Sequence, residues 1–145
     1  MQRASRTSVP IGLEGIDIPP AAFADPLAFI EAVKSGLSGE VIRQAVDVVG
    51  HRELFVRLPG TTSGNLRRLY RRKTLGSGTS EALLDVLCVV AGAVAVFGTL
   101  GQADEWLDTE MVALGGQRPI DLCDTFEGRG LVRDAIRKIE YGDFP

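Results

Sequence analysis

Residues 67–73 read Arg-Arg-Leu-Tyr-Arg-Arg-Lys, the densest concentration of chemically capable side chains in the sequence. In a helix, Arg67 with Arg71 and Arg68 with Arg72 fall at i,i+4 and build one cationic strip, while Leu66, Leu69 and Tyr70 turn inward. Forked guanidiniums on such a strip suit phosphate contact and can also reach guanine edges. Thr62, Ser63, Asn65 and Lys73 lie alongside and complete a candidate nucleic-acid surface. The opposite chemistry closes the chain at Glu140-Tyr141-Gly142-Asp143-Phe144-Pro145, two carboxylates and two aromatics at a free end. Aromatics at a terminus suit a partner's pocket better than solvent.

Little else suggests reactivity. His51 is the single histidine, so a catalytic triad or a histidine-based metal site lacks companions, and His51 is expected to start a helix as a polar residue. Cys88 and Cys123 lie in apolar helical patterns without Cys-x-x-Cys spacing and are expected to be small buried hydrophobes. Neither Gly76-x-Gly78 nor Gly98-x-x-Gly101 has phosphate-loop spacing, and no serine sits in a nucleophile elbow. The expectation is a binding protein without catalytic residues, metal or cofactor.

The elements that must position these groups are helical throughout, so an all-α fold is expected. Residues 1–24, rich in proline and glycine, are expected to be a flexible leader. Asp25-Pro26 reads as an N-cap with proline in the first turn, opening a helix with Leu27, Ile30 and Val33 as its apolar stripe and Gly36 as its stop. Ser38 is expected to cap a second helix over 39–49. A third covers 51–58, Pro59-Gly60 breaks it, and a fourth runs from about 61 to 72, with Gly64 costing up to about 1 kcal/mol inside it. Two short helices around a tight turn fit a helix-turn-helix, whose second helix enters the major groove. The fifth helix, 79–97, is apolar nearly all round, which predicts a central position. Thr79 or Ser80 is its expected cap.

Beyond Gly98, a short helix over 102–108, a Gly115-Gly116 turn and a segment from Pro119 to Thr125 lead to a last helix over 130–141. Its apolar face is read as Leu131, Val132, Ala135, Ile136 and Ile139, while Arg129, Arg133 and Arg137 share another face. The domain division expected is 1–24 leader, 25–98 DNA-binding unit with the long helix, and 99–145 partner-binding unit.

Charge follows this division. The chain carries a net charge of −3, yet 52–73 holds seven basic residues against one acid, and 104–145 holds ten acids against five bases. A basic middle and an acidic end imply two different partners, or one with a split surface. The 15-residue apolar run Val86–Leu100 is shorter than the roughly 20 residues a bilayer span needs, and no apolar stretch follows the basic Met1–Thr7, so a cytoplasmic protein without a membrane association is expected.

One ordered string is more specific than any of these features. Trp106-Leu107, then Ala113-Leu114-Gly115-Gly116-Gln117-Arg118-Pro119-Ile120-Asp121-Leu122, then Asp124-Thr125-x-x-Gly128, and finally Ile139-Glu140-Tyr141-Gly142 resembles the C-terminal toxin-binding domain of the Xre/MbcA/ParS antitoxins. The resemblance implies an antitoxin of a type II toxin–antitoxin pair whose partner is a RES-domain enzyme that consumes NAD or uses it to ADP-ribosylate a target. It further implies that residues 140–145 plug the toxin's NAD cleft, with Arg129, Arg133 and Arg137 as additional contacts. An Xre-like helix-turn-helix before that domain implies operator binding and autorepression. A homodimer within a larger toxin–antitoxin assembly is expected, with the apolar fifth helix as its contact. The rival readings are a transcriptional regulator whose C-terminal domain only dimerises, and an interaction scaffold whose arginines never touch DNA.

Overall fold

The computed structural model describes residues 9–142. Among them are seven α-helices and no strand: α1 Pro26–Ser35, α2 Glu40–Val49, α3 Arg52–Arg57, α4 Leu66–Tyr70, α5 Ser77–Phe97, α6 Leu100–Leu107 and α7 Phe126–Glu140. The all-α expectation holds. Short 3-10 turns at Pro20–Phe23, Ser63–Asn65, Val112–Leu114 and Pro119–Leu122 link them.

Helix α5 is the axis on which the other elements lean. Leu83, Leu84, Val86, Leu87, Val89, Val90, Ala93 and Val94 are all buried in it, because α1, α6 and α7 pack on different sides. At 21 residues and a mean hydropathy of 2.0 it is long and apolar enough to cross a membrane. Half of that apolar window is covered by the rest of this fold, as a core helix requires. Its start lies earlier than expected, with Gly76 at the N-cap. Ser80 is not a cap: it is fully buried, accepts from Leu37 N at 2.9 Å and donates to Leu75 O at 3.4 Å, tying α5 to the link between α1 and α2.

Some local expectations hold for the reasons given. Asp25 Oδ1 accepts from Leu27 N at 3.2 Å at the head of α1, and Gly36 ends that helix. Others need correction. Ser38 is not the cap of α2: Gly39 holds that position without a side-chain cap bond, and Ser38 Oγ accepts from Glu40 N at 3.2 Å one residue earlier. Leu27 and Ile30 are exposed while Val33 is buried, because α1 faces α5 through a narrower stripe than its apolar content suggested.

The larger correction concerns the N-terminal segment. Residues 9–24 are not a loose leader: Leu13, Ile16, Ile18 and Ala22 are buried in the same core cluster as the helices. Asp17 N donates to Gln44 Oε1 of α2 at 2.7 Å. The four apolar side chains at 13, 16, 18 and 22 match neither helix nor strand period, so periodicity could not reveal them. The core also runs without interruption across Gly98, joining Leu54 and Phe55 to Ala103, Leu107 and Ile120.

Candidate partner-binding surfaces

The C-terminal surface is built on α7, which begins four residues before the expected position. Thr125 is the N-cap, its Oγ1 accepting from Gly128 N at 2.9 Å, and capping of this kind fixes where a helix starts. Before it, the Gly115-Gly116 turn takes φ +70° and +81°, a region open to glycine at little cost. It closes a Met111–Gln117 bridge. Arg118 then forks onto Asp121, with Nε to Oδ2 and Nη2 to Oδ1 both at 2.8 Å, and also pairs with Asp108. The hydrogen bond from Arg118 holds the Asp121 carboxyl below its usual range.

The inner face of α7 carries Gly128, Arg129, Val132 and Ile136. Arg129 is only 6% exposed. Its Nε donates to Asp85 Oδ2 on α5 at 2.6 Å and its Nη1 to Cys123 O at 3.0 Å. Arg133, one turn on, donates through Nη1 to the same Asp85 oxygen at 3.3 Å and pairs through Nη2 with Oδ1. Burial alone would raise the Asp85 carboxyl, but the hydrogen bonds from Arg133 and Arg129 outweigh it and hold it low. The three arginines grouped as one face therefore part company. Arg129 is an internal residue, Arg133 is half-buried on Asp85, and Arg137 is exposed beside Asp134 at 3.1 Å.

The outer face ends in Glu140, Tyr141 and Gly142, all exposed, with Tyr141 at 75%. Asp143, Phe144 and Pro145 lie outside the described residues. Leu131, read as inward from the sequence, is half exposed. It shares the outer face with Asp134, Lys138 and Tyr141 at spacings of three, four and three. Phe126 and Val112 are exposed as well. Phe126 lies ahead of the helix start at 130 that apolar periodicity predicts, although Asp124-Thr125 is a capping signal.

The basic surface lies elsewhere. Thr62, Ser63, Asn65, Arg67, Arg68, Arg71, Arg72 and Lys73 are all exposed. They do not form the single helix from about 61 to 72 that was expected. Gly64 falls in the 3-10 turn Ser63–Asn65, α4 spans only Leu66–Tyr70, and Arg71 N and Arg72 N close back on Arg68 O and Leu69 O at 3.2 and 3.1 Å. The cations follow a short helix and the bend after it. Gly39 anchors that bend, its N–H donating to Arg72 O at 2.9 Å. A Cβ there would stand 1.8 Å from Leu69 O. Ser63 is engaged, since Arg52 reaches its Oγ and its carbonyl.

Two contacts join the basic half to the acidic half. His51, at the left-handed φ of +54°, heads α3, as its expected polar role required, and its Nε2 lies 2.6 Å from Asp104 Oδ1 of α6. Arg57 Nε donates to Asp124 Oδ2 at 3.1 Å. Cys123 is fully buried and Cys88 partly so. Burial pushes their thiols up to about 12 and about 11, which leaves both poor nucleophiles. Among the described residues, no group of three or more His, Cys, Asp or Glu side chains is arranged to hold a metal ion.

Residues 92–142, from the second half of α5 to the end of α7, match the family described as the antitoxin Xre/MbcA/ParS C-terminal toxin-binding domain. "Antitoxin Xre" of Yersinia enterocolitica serotype O:8 / biotype 1B is 30% identical over 125 residues, covering 79% of this chain and 80% of that one. "Prs ADP-ribosylating antitoxin" of Sphingobium sp. (strain YBL2) is 26% identical over 147 residues, covering 90% of this chain and 92% of that relative.

Proposed function

Since the chain belongs to the Xre/MbcA/ParS family of antitoxins, we propose that it neutralises a RES-type toxin by seating its C-terminal end, residues 140–145, in the toxin's NAD site. The toxin would be an enzyme that hydrolyses NAD or uses it for ADP-ribosylation. The observation that carries this reading is the placement of Glu140 and Tyr141. They stand exposed at the free end of a helix whose opposite face is locked to the core through Arg129 and Asp85. An aromatic beside carboxylates on a fixed stalk suits a nucleotide pocket, where a ring can stack and acids can pair with the arginines that otherwise hold the pyrophosphate. The relative named for ADP-ribosylation supports the choice of toxin chemistry. The antitoxin itself carries out no reaction in this reading, and it acts in the cytoplasm. Deleting Glu140–Pro145 is expected to abolish rescue of cells expressing the toxin while leaving the circular dichroism spectrum and melting temperature unchanged. Full rescue by the truncated chain excludes the plug.

A second activity rests on the exposed cations of 67–73. In this reading α3 and α4 act as a helix-turn-helix, Arg67, Arg68, Arg71, Arg72 and Lys73 contact operator phosphates, and Thr62, Ser63 and Asn65 lie at the entering end. Paired half-sites call for a homodimer. Its contact would be the open side of α5, where Cys88, Gly92, Ala95 and Val96 line a groove with Ile136 of α7. Toxin and antitoxin dimer would then form a larger complex.

A further inference from the structure

We infer that Asp85 is the positioning residue of the toxin-binding end: its carboxylate, clamped by two arginines of α7, sets where Glu140 and Tyr141 are presented. This rests on the proposed seating of residues 140–145 in the toxin. Asp85 lies on α5, seven residues before the toxin-binding match begins at 92, so it reaches the C-terminal surface only through the fold.

Arg129 and Arg133 are one turn apart and converge on this single side chain, itself mostly buried at 17% exposure. Two donors on one acceptor fix both the rotation of α7 and its distance from α5, which a lone ion pair would not. Ion pairing alone leaves the sliding register open. Arg129, Arg133 and Arg137 repeat every four residues, so a slip of four residues, about 6 Å, would offer Asp85 an equivalent pair. Two contacts forbid that slip. Arg129 Nη1 is held by Cys123 O at 3.0 Å, and Gly128 sits where a Cβ would be 1.7 Å from Leu122 O.

The lever beyond the clamp is long. Tyr141 lies eight residues past Arg133, about 12 Å at 1.5 Å per residue. A tilt of about 10° at the clamp would therefore move the ring by about 2 Å, well outside the roughly 0.5 Å within which a binding constellation must be held. A helix fixed beforehand also spares the complex the entropy of ordering it on contact. Removing the Asp85 charge would leave two adjacent guanidiniums without their counter-ion, and α7 would swing outward.

The test is the affinity of the full chain for purified cognate toxin, read beside hydrogen exchange across residues 126–142. Asp85→Asn is expected to weaken binding at least tenfold and to speed exchange in that segment. Asp85→Glu is expected to bind within threefold of the unaltered protein. Arg129→Lys keeps the charge but cannot hold Asp85 and Cys123 O at once as Nε and Nη1 do, and as a buried residue it cannot touch the toxin. It is expected to weaken binding in the same direction, and it carries the test if Asp85→Asn does not fold. Val49→Ala, a buried change in α2, supplies a comparably destabilised but folded control expected to bind normally. The inference is overturned if Asp85→Asn and Arg129→Lys bind within threefold of the unaltered chain, or lose no more affinity than the control. Deletion of 140–145 separates the two levels. A deletion that binds normally overturns the seating of the tail and this inference with it. A deletion that fails to bind, beside an Asp85→Asn that binds normally, overturns this inference alone.

Discussion

Gly128 in the first turn of α7 and Leu122 in the preceding 3-10 turn approach so closely that a Cβ on Gly128 would stand 1.7 Å from the Leu122 carbonyl oxygen. Thr125 Oγ1 accepts the Gly128 N–H from the same side. The Thr-x-x-Gly spacing thus encodes a cap and a close packing at once, and it explains why α7 starts at Phe126. Gly128→Ala would force the turn and the helix apart. A loss of about 2–3 kcal/mol is expected, in the range for overpacking a tight site, measured by urea unfolding. An unchanged midpoint would show that the turn yields freely.

The N-terminal segment makes an equally direct prediction. Leu13 is fully buried, so Leu13→Ala should cost about 2–5 kcal/mol, as for other large-to-small core changes. A flexible leader would show no change in thermal melting.

Acid should unlock the C-terminal surface. Asp85 and Asp121 have carboxyls held low by arginine partners. A carboxylate depressed in the folded state contributes stability that is complete above its unfolded value and drains away as pH falls through the folded one. Thermal melts should therefore be level from neutrality down to about pH 5 and decline below about pH 4, where free aspartates protonate. In Asp85→Asn part of that decline should vanish. An identical acid profile for the variant would mean that the Asp85 pairs contribute nothing.

The cysteines should resist modification. With thiols pushed up to about 12 at Cys123 and about 11 at Cys88, roughly one molecule in ten thousand and one in a thousand carries the thiolate at pH 8. Iodoacetamide should leave the native protein nearly unlabelled by mass spectrometry and modify both sites in urea. Rapid labelling of Cys123 in native buffer would contradict its burial.

Changing Arg67, Arg68 and Arg71 to Glu should abolish operator binding in a gel-shift assay while toxin neutralisation persists. Binding by the unaltered chain should weaken steeply with salt, because phosphate contact releases counterions. Loss of both activities in the triple variant would show that the two surfaces are not separable.

Much of the chain was legible from its residues alone. Helix-period patterns fixed the all-α class, because side chains repeat every 3.6 residues whatever the partner helix. The cap at Asp25 and the stop at Gly36 are local hydrogen-bonding and backbone effects, and they appear where the sequence places them. The string from Trp106 to Gly142 is legible as an ordered series of residue types that resembles a family, although the Thr125 cap within it starts α7 earlier than helix period alone suggests.

What folding decided were the relations between distant residues. Asp85 is one of two acids, with Glu81, in an otherwise apolar helix, and nothing nearby in the chain shows that Arg129 and Arg133 close on it. Burial of Leu13 and Ile16 depends on a surface made by other helices, and so does the exposure of Leu27 and Leu131. Apolar character says that a side chain gains by leaving water; only the packed neighbours determine whether there is anywhere for it to go.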